Sequence, residues 1–180
     1  MDNFRNKSVK LKKQKNRSNS SKKWLSRQLN DPYVTKSKID GYRSRAAYKI
    51  VEINQKYKLF KPGMKVVDLG AAPGGWSQIA AKEVGQDGRV VAIDLLEFEP
   101  IEGVISAQMD FYDPETPTKL SQMLGGMADI IMSDMAANTT GHAATDHIRI
   151  MDLCEMSFNF ACKTLSKGGH FIAKIFRGGT

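Results

Sequence analysis

Cysteine is nearly absent from this chain: its 180 residues hold two, Cys154 and Cys162. That excludes a disulfide scaffold, and both fall in one predicted helix, where they are expected to be reduced core residues of a cytoplasmic protein. His142, His147 and His170 are scattered, and no Cys/His cluster has the spacing of a metal site, so no metal is expected. No apolar run approaches the roughly 18 residues of a membrane helix. The N-terminus is too polar for a secretory signal, so no membrane association is expected. A length of 180 residues suits one domain with a substantial core and is short for two.

What the chain has in excess is positive charge, and it is unevenly spread. Up to Lys49 there are 15 Lys and Arg against Asp2, Asp31 and Asp40, a net of +12; the rest holds 12 basic and 16 acidic residues, a net of −4. A mildly acidic body with one basic end suits a polyphosphate partner, because neutralising phosphates releases counterions. A merely solubilising tail would have the same composition. Residues 1–23 are polar, basic and rich in Ser and Asn, with no periodic apolar face, and are expected to lack order without a partner. Trp24 to Asp40 mixes aromatic and basic residues and reads as a partly ordered arm. The organisation expected is therefore a basic, largely disordered RNA-binding arm over 1–40 and a folded domain over 41–180.

Strand and helix patterns then alternate. Arg43 to Tyr57 has Ala46, Ile50, Ile53 and Tyr57 at helical spacing, which predicts a helix buried along that stripe. Strands are predicted at Lys65–Leu69, Arg89–Ile93, Val104–Met109, Asp129–Met132 and His170–Phe176. Helices are predicted at Trp76–Val84, Glu115–Leu124 and Thr145–Leu165, with Pro117 tolerated in a first turn and Ser166 to Gly169 turning the chain. The alternation implies an α/β fold, a mostly parallel sheet with helices on both faces.

Ligands of such sheets bind outside the carboxyl ends of the strands. Asp68, Asp94, Asp110 and Asp134 all stand at or near those ends and suggest a ligand with hydroxyls, an amine or a cation. The first strand–helix turn runs from Gly70 to Gly75. A dinucleotide fingerprint would have glycine where Ala72 stands, followed here by Pro73, so backbone approach to a pyrophosphate is disfavoured while a nucleoside can still pack against the loop. This weighs against a nicotinamide-dependent dehydrogenase.

The stretch V-V-D-L-G-A-A-P-G-G-W-S-Q resembles the cofactor loop of the FtsJ/RrmJ family of ribose 2′-O-methyltransferases. The resemblance continues through Arg43-Ser44-Arg45-Ala46 with Lys49, Lys61-Pro62-Gly63-Met64, Asp94-Leu95-Leu96, Met132-Ser133-Asp134-Met135, and Gly168-Gly169 with Lys174-Ile175-Phe176, covering roughly residues 30–180. It implies a Rossmann-like methyltransferase fold with strand order 3-2-1-4-5, S-adenosylmethionine as cofactor, and methyl transfer to a ribose 2′-hydroxyl. Within the family the pattern is most similar to bacterial enzymes that methylate a uridine ribose in large-subunit (23S) ribosomal RNA, so the partner implied is ribosomal RNA in the assembled large subunit, met by a monomer. By position, Gly74 and Trp76 match the cofactor loop, Asp94 the ribose-binding acid and Asp110 the acid at the adenine amino group. Lys49, Asp134 and Lys174 match three members of the family's Lys-Asp-Lys-Glu tetrad, Lys174 as the base and Asp134 also beside the cofactor. An ammonium next to a second ammonium gives up its proton more readily, which gives a pattern with two lysines and one carboxylate a chemical purpose.

Two departures accompany the match. Ala137 stands where the family has proline, which should loosen the loop slightly. The family pattern also continues through two more strands that carry the tetrad glutamate, whereas the sequence given stops at Thr180, so the expectation is a sheet lacking its last two strands and a tetrad lacking that glutamate. Other readings are a transfer-RNA or cap 2′-O-methyltransferase, or a catalytically weak RNA-binding or ribosome-assembly module. The chain lacks the Asn/Asp-Pro-Pro-Tyr/Phe signature of amino-methylating enzymes after its fourth strand, which argues against base N-methylation. Deleting residues 1–23 is expected to weaken RNA binding and flatten its salt dependence while leaving cofactor affinity unchanged, as titrations at several salt concentrations would read.

Overall fold

The structure, a computed structural model, describes Ser26 and residues 29–136 and 140–175. The readings for residues 1–23, Ala137, Asn138 and Phe176 lie outside the described residues. Five strands form the frame: β1 (Lys65–Leu69), β2 (Arg89–Asp94), β3 (Val104–Gln108), β4 (Ala128–Ser133) and β5 (Leu165–Ala173). Among the described residues they are accompanied by α1 (Pro32–Ile39), α2 (Ala47–Tyr57), α3 (Gly75–Val84), α4 (Thr116–Leu124) and α5 (Ala143–Thr164). All neighbouring strands are parallel and lie in the order β3-β2-β1-β4-β5, the order that the resemblance implied.

Alternation within the central strands divides the core into two layers. Val66, Val90, Ile130 and Met132 pack with Ile50 of α2 and Trp76, Ile79 and Val84 of α3. Val67, Leu69, Val91, Ile93 and Ile131 pack on the opposite face with Leu120 and Leu124 of α4 and Phe160 of α5. Both faces of β1, β2 and β4 are thus covered, which is why these strands read as nearly unbroken apolar runs. At one edge, β3 is half open, with Ile105 exposed. Pro117 sits in the first turn of α4, where its missing N–H costs nothing. Among the described residues, no helix is long and apolar enough to cross a membrane.

Four details differ from the sequence reading. The arm contains helix α1, capped by the Asp31 carboxylate, which accepts from the Tyr33 amide at 2.9 Å. It has almost no apolar stripe and buries only Ser37, so periodicity gave no sign of it. Helix α2 starts at Ala47, four residues later than expected. Ala47 and Ile50 are its buried positions, while Tyr57, at its last turn before left-handed Lys58, is 61% exposed. The turn expected at Ser166–Gly169 is part of β5. Ala128 pairs with Leu165 and Ile130 with His170, so β5 carries extra residues that bulge out while pairing continues on both sides. Finally, both cysteines are free, but Cys162 is exposed rather than in the core.

Candidate active site

The parallel register brings the carboxyl ends of β1, β2, β4 and β5 side by side, and backbone hydrogen bonds lock the segments that leave them. Gly70 and Ala71 donate their amides to Ile93 O at 2.9 and 3.0 Å. Asp134 N donates to Leu69 O at 3.0 Å, and Lys174 N to Ser133 O at 2.9 Å. Gly70 has φ +76°, and a Cβ there would lie 2.8 Å from the Met135 backbone. Only glycine lets the turn after β1 approach the loop after β4 this closely.

Two cavities open at this edge. The first, of about 640 Å³, is lined by Lys49, Asp68, Gly75, Trp76, Asp134 and Lys174, with Tyr33, Arg45 and Tyr48 at its α1–α2 side. The second, of about 480 Å³, is lined by Asp94, Leu96, Asp110, Phe111, Arg149 and Leu153 among others. Gly70, Ala72 and Asp134 belong to both walls. An apolar slot with carboxylates at its rim suits a nucleoside, while the first cavity carries the lysines.

Of the seven residues singled out in the sequence, Lys49, Asp134 and Lys174 line the first cavity together, and Asp94, Asp110 and Asp134 the second. The Lys174 ammonium forms an ion pair with the Asp134 carboxylate and also donates to Asp134 O at 3.3 Å. Both side chains are a little over one-fifth exposed, so this pair is only partly screened by water. Lys49 is exposed on α2. Asp94 accepts from Ala72 N at 2.9 Å through one oxygen and from Leu96 N at 2.8 Å through the other, so its carboxylate also ties the glycine-rich turn to β2. Asp110 accepts from Tyr112 N at 2.9 Å and is exposed.

The two loop residues are placed differently. Gly74, the left-handed N-cap of α3, is buried, and a Cβ there would lie 2.4 Å from Ile101 Cδ1; it lines neither cavity. Trp76 is 4% exposed and donates its indole N–H to Ala46 O at 2.9 Å, fastening α3 to the start of α2. It walls the lysine-bearing cavity rather than the apolar slot.

The residue that sequence reasoning left among the strand-end acids without a role is Asp68. It is fully buried, accepts from the Ser77 hydroxyl at 2.5 Å, and its other oxygen has no hydrogen-bond partner among the described residues. Burial away from water pushes its carboxyl up to about 7; the Ser77 hydroxyl opposes this, while the Asp134 and Asp94 carboxylates add to it. A carboxylate inside the apolar run KVVDL was the available signal. Arg149 on α5 was missed altogether, because one arginine on a long amphipathic helix looks like any solvated face residue.

A parallel sheet in this order, with carboxylates at its strand ends and a nucleoside-sized slot beside a lysine-bearing cavity, defines a Rossmann-like domain of the methyltransferase type. Residues 42–180 match the family model described as FtsJ-like methyltransferase, and the chain belongs to that family. The ribosomal RNA large subunit methyltransferase E of Rickettsia akari is 58% identical over 184 residues, covering 99% of this chain and 81% of that protein. The protein of the same name from Xanthobacter autotrophicus is 58% identical over 174 residues, covering 95% of this chain and 68% of its own. Among solved structures, a chain described as a ribosomal RNA methyltransferase from Plasmodium falciparum is similar with a TM-score of 0.68 at 29% identity, over 77% of this chain and 80% of that one. The resemblance seen in the sequence is thereby borne out at the level of family and fold.

Asp68 makes stability pH-dependent in a stated direction. Its carboxyl binds a proton more tightly folded than unfolded, where the value is 3.8, so the folded state holds the extra proton between about pH 4 and 7. Its contribution to stability is full below the unfolded value and is lost as pH rises toward 7, with a steepest slope of about 1.4 kcal/mol per pH unit. Denaturant titrations of the ligand-free protein across that window should show this slope, and Asp68→Asn should flatten it.

Proposed function

We propose that the protein transfers a methyl group from S-adenosylmethionine to a uridine ribose 2′-hydroxyl of large-subunit (23S) ribosomal RNA. The observation that carries this reading is the Lys174–Asp134 ion pair at the junction of two cavities, one carrying a second lysine, Lys49, and the other shaped for a nucleoside. The names of the relatives support ribosomal RNA as the substrate class.

S-adenosylmethionine supplies an electrophilic methyl on a sulfonium. Asp94 is the acceptor for its ribose hydroxyls, and Asp110 lies at the rim of the slot for the adenine amino group. Leu96, Phe111 and Leu153 give the base an apolar bed. Buried Asp68, which belongs to the wall of the neighbouring cavity and has one oxygen without a partner among the described residues, suits the methionine ammonium. This donor set therefore fits the cofactor.

Methylating a hydroxyl needs an in-line approach and removal of one proton. Asp134 sets the position of the Lys174 amine through its carboxylate and its backbone carbonyl. Lys174, once unprotonated, would take the 2′-hydroxyl proton while the methyl passes from the sulfonium sulfur to the 2′-oxygen, leaving S-adenosylhomocysteine. Lys49 opens onto the same cavity, where its positive charge assists Lys174 as the base. Trp76 and Gly74 hold the turn rather than touch the reacting atoms.

Two measurements test the reading. Asp94→Ala should weaken S-adenosylmethionine binding by about 1.5–3 kcal/mol on calorimetry, the range for hydrogen bonds to a charged group; unchanged affinity would remove Asp94 from the site. Lys174→Ala should keep cofactor affinity and thermal stability but lower single-turnover methylation of large-subunit particles at least ~10²-fold. A variant retaining more than a tenth of the rate would exclude Lys174 as the base.

A further inference from the structure

We propose that Tyr33 is the platform on which the base of the target nucleotide stacks. The inference rests on the reading of the site as a ribose methyltransferase. If a ribose 2′-hydroxyl is to reach Lys174, its nucleotide must leave the RNA stack, and its base then needs a replacement surface. The cavity that holds Lys49, Asp134 and Lys174 has Tyr33 and Tyr48 on its α1–α2 side.

Tyr33 is both exposed and fixed. The residue is 56% exposed, so the ring is accessible to a ligand. Yet its backbone amide is capped by Asp31, whose other oxygen pairs with Arg45 at the start of α2. Ser37, one turn further along α1, is buried and donates to Val34 O at 2.9 Å. The ring packs edge-on against Tyr48 at 5.8 Å between centroids. Tyr48 in turn meets Tyr42 edge-on at 5.2 Å and donates its hydroxyl to Asp40 at 2.6 Å. A ring held from one side at low entropic cost, with the rest of its surface open, is what base stacking requires.

The charges around it fit a nucleic-acid chain. The Lys36 ammonium lies 5.1 Å from the Tyr48 ring centre, and Arg45 and Lys49 line the same cavity. Arg45 is paired with Asp31, so Lys36 and Lys49 are the cations beside these rings, with Asp40 and Glu52 as the nearby acids. Cations beside an open aromatic face suit phosphates on either side of a stacked base, and such stacking tolerates any base.

The test compares Tyr33→Phe and Tyr33→Ala in the full chain. Large-subunit particles from cells lacking the gene are methylated with tritiated S-adenosylmethionine, and binding is measured to an oligouridylate and to the same oligomer made abasic. Stacking predicts that Tyr33→Ala raises KM for particles about tenfold with unchanged cofactor affinity, that Tyr33→Phe stays within about twofold of the parent, and that the parent's preference for oligouridylate over the abasic oligomer vanishes only in the alanine variant. Equal loss on both oligomers, loss in the phenylalanine variant, or no loss in either would overturn the proposal. If the parent protein methylates no particles, the ribosomal reading fails, and the oligomer comparison still decides the stacking.

Discussion

Parallel pairing of β1 with β2 on one side and β4 on the other is the constraint on which everything else depends. Because the strands share one direction, every segment that leaves a strand end emerges at the same edge. Asp68, Asp94 and Asp134 meet there although they are 26 and 40 residues apart along the chain from one to the next in the sequence's order 68, 94, 134. The alternation that sends Val66 to one apolar layer and Val67 to the other also fixes which end residues face the cavities. Slipping β1 by one residue would exchange its two apolar faces and turn Asp68 away from Ser77. The two buried layers make that slip costly, so the core itself enforces the register of the site.

The cost of this convergence is electrostatic. Three carboxylates share a small region, one of them fully buried, and Asp68 responds by holding its proton to about pH 7. The Asp134 charge is balanced locally by Lys174, and Asp94 by the amides of Ala72 and Leu96. Asp68 has Ser77 as its hydrogen-bond partner, and one of its oxygens has none among the described residues. A fold selected for stability alone would place an apolar side chain there. Asp68 is thus a buried acid in the wall of a cavity and not an apolar packing residue.

The strands were legible because β1, β2 and β4 are covered on both faces and are therefore apolar almost throughout. Asp94 and Asp134 were legible because they sit just where those patterns end, whereas Lys174, inside the predicted strand His170–Phe176, was identified by family position. Helix α1 was not, since capping by Asp31 and tertiary contacts of Tyr33 and Ser37 hold it rather than an apolar stripe. The bulge in β5 read as a turn because Ser166-Lys167-Gly168-Gly169 has turn composition, and only pairing with β4 keeps it within a strand. Gly74 and Trp76 were identified by family position, and their contacts with Ile101 and Ala46 are long-range packing that no local pattern records.

The wall common to the two cavities ties their occupants together. Gly70, Ala72 and Asp134 face both spaces, and Gly70 leaves no room for Met135 to move toward it. A molecule settling into the slot beside Asp94 therefore presses on the same few atoms that an occupant of the lysine-bearing cavity must touch. Any change that one occupant makes in this shared wall is felt by the other. Whatever factor the first imposes on the second, the second imposes on the first, so the order in which they arrive cannot change the stability of the complex they form together.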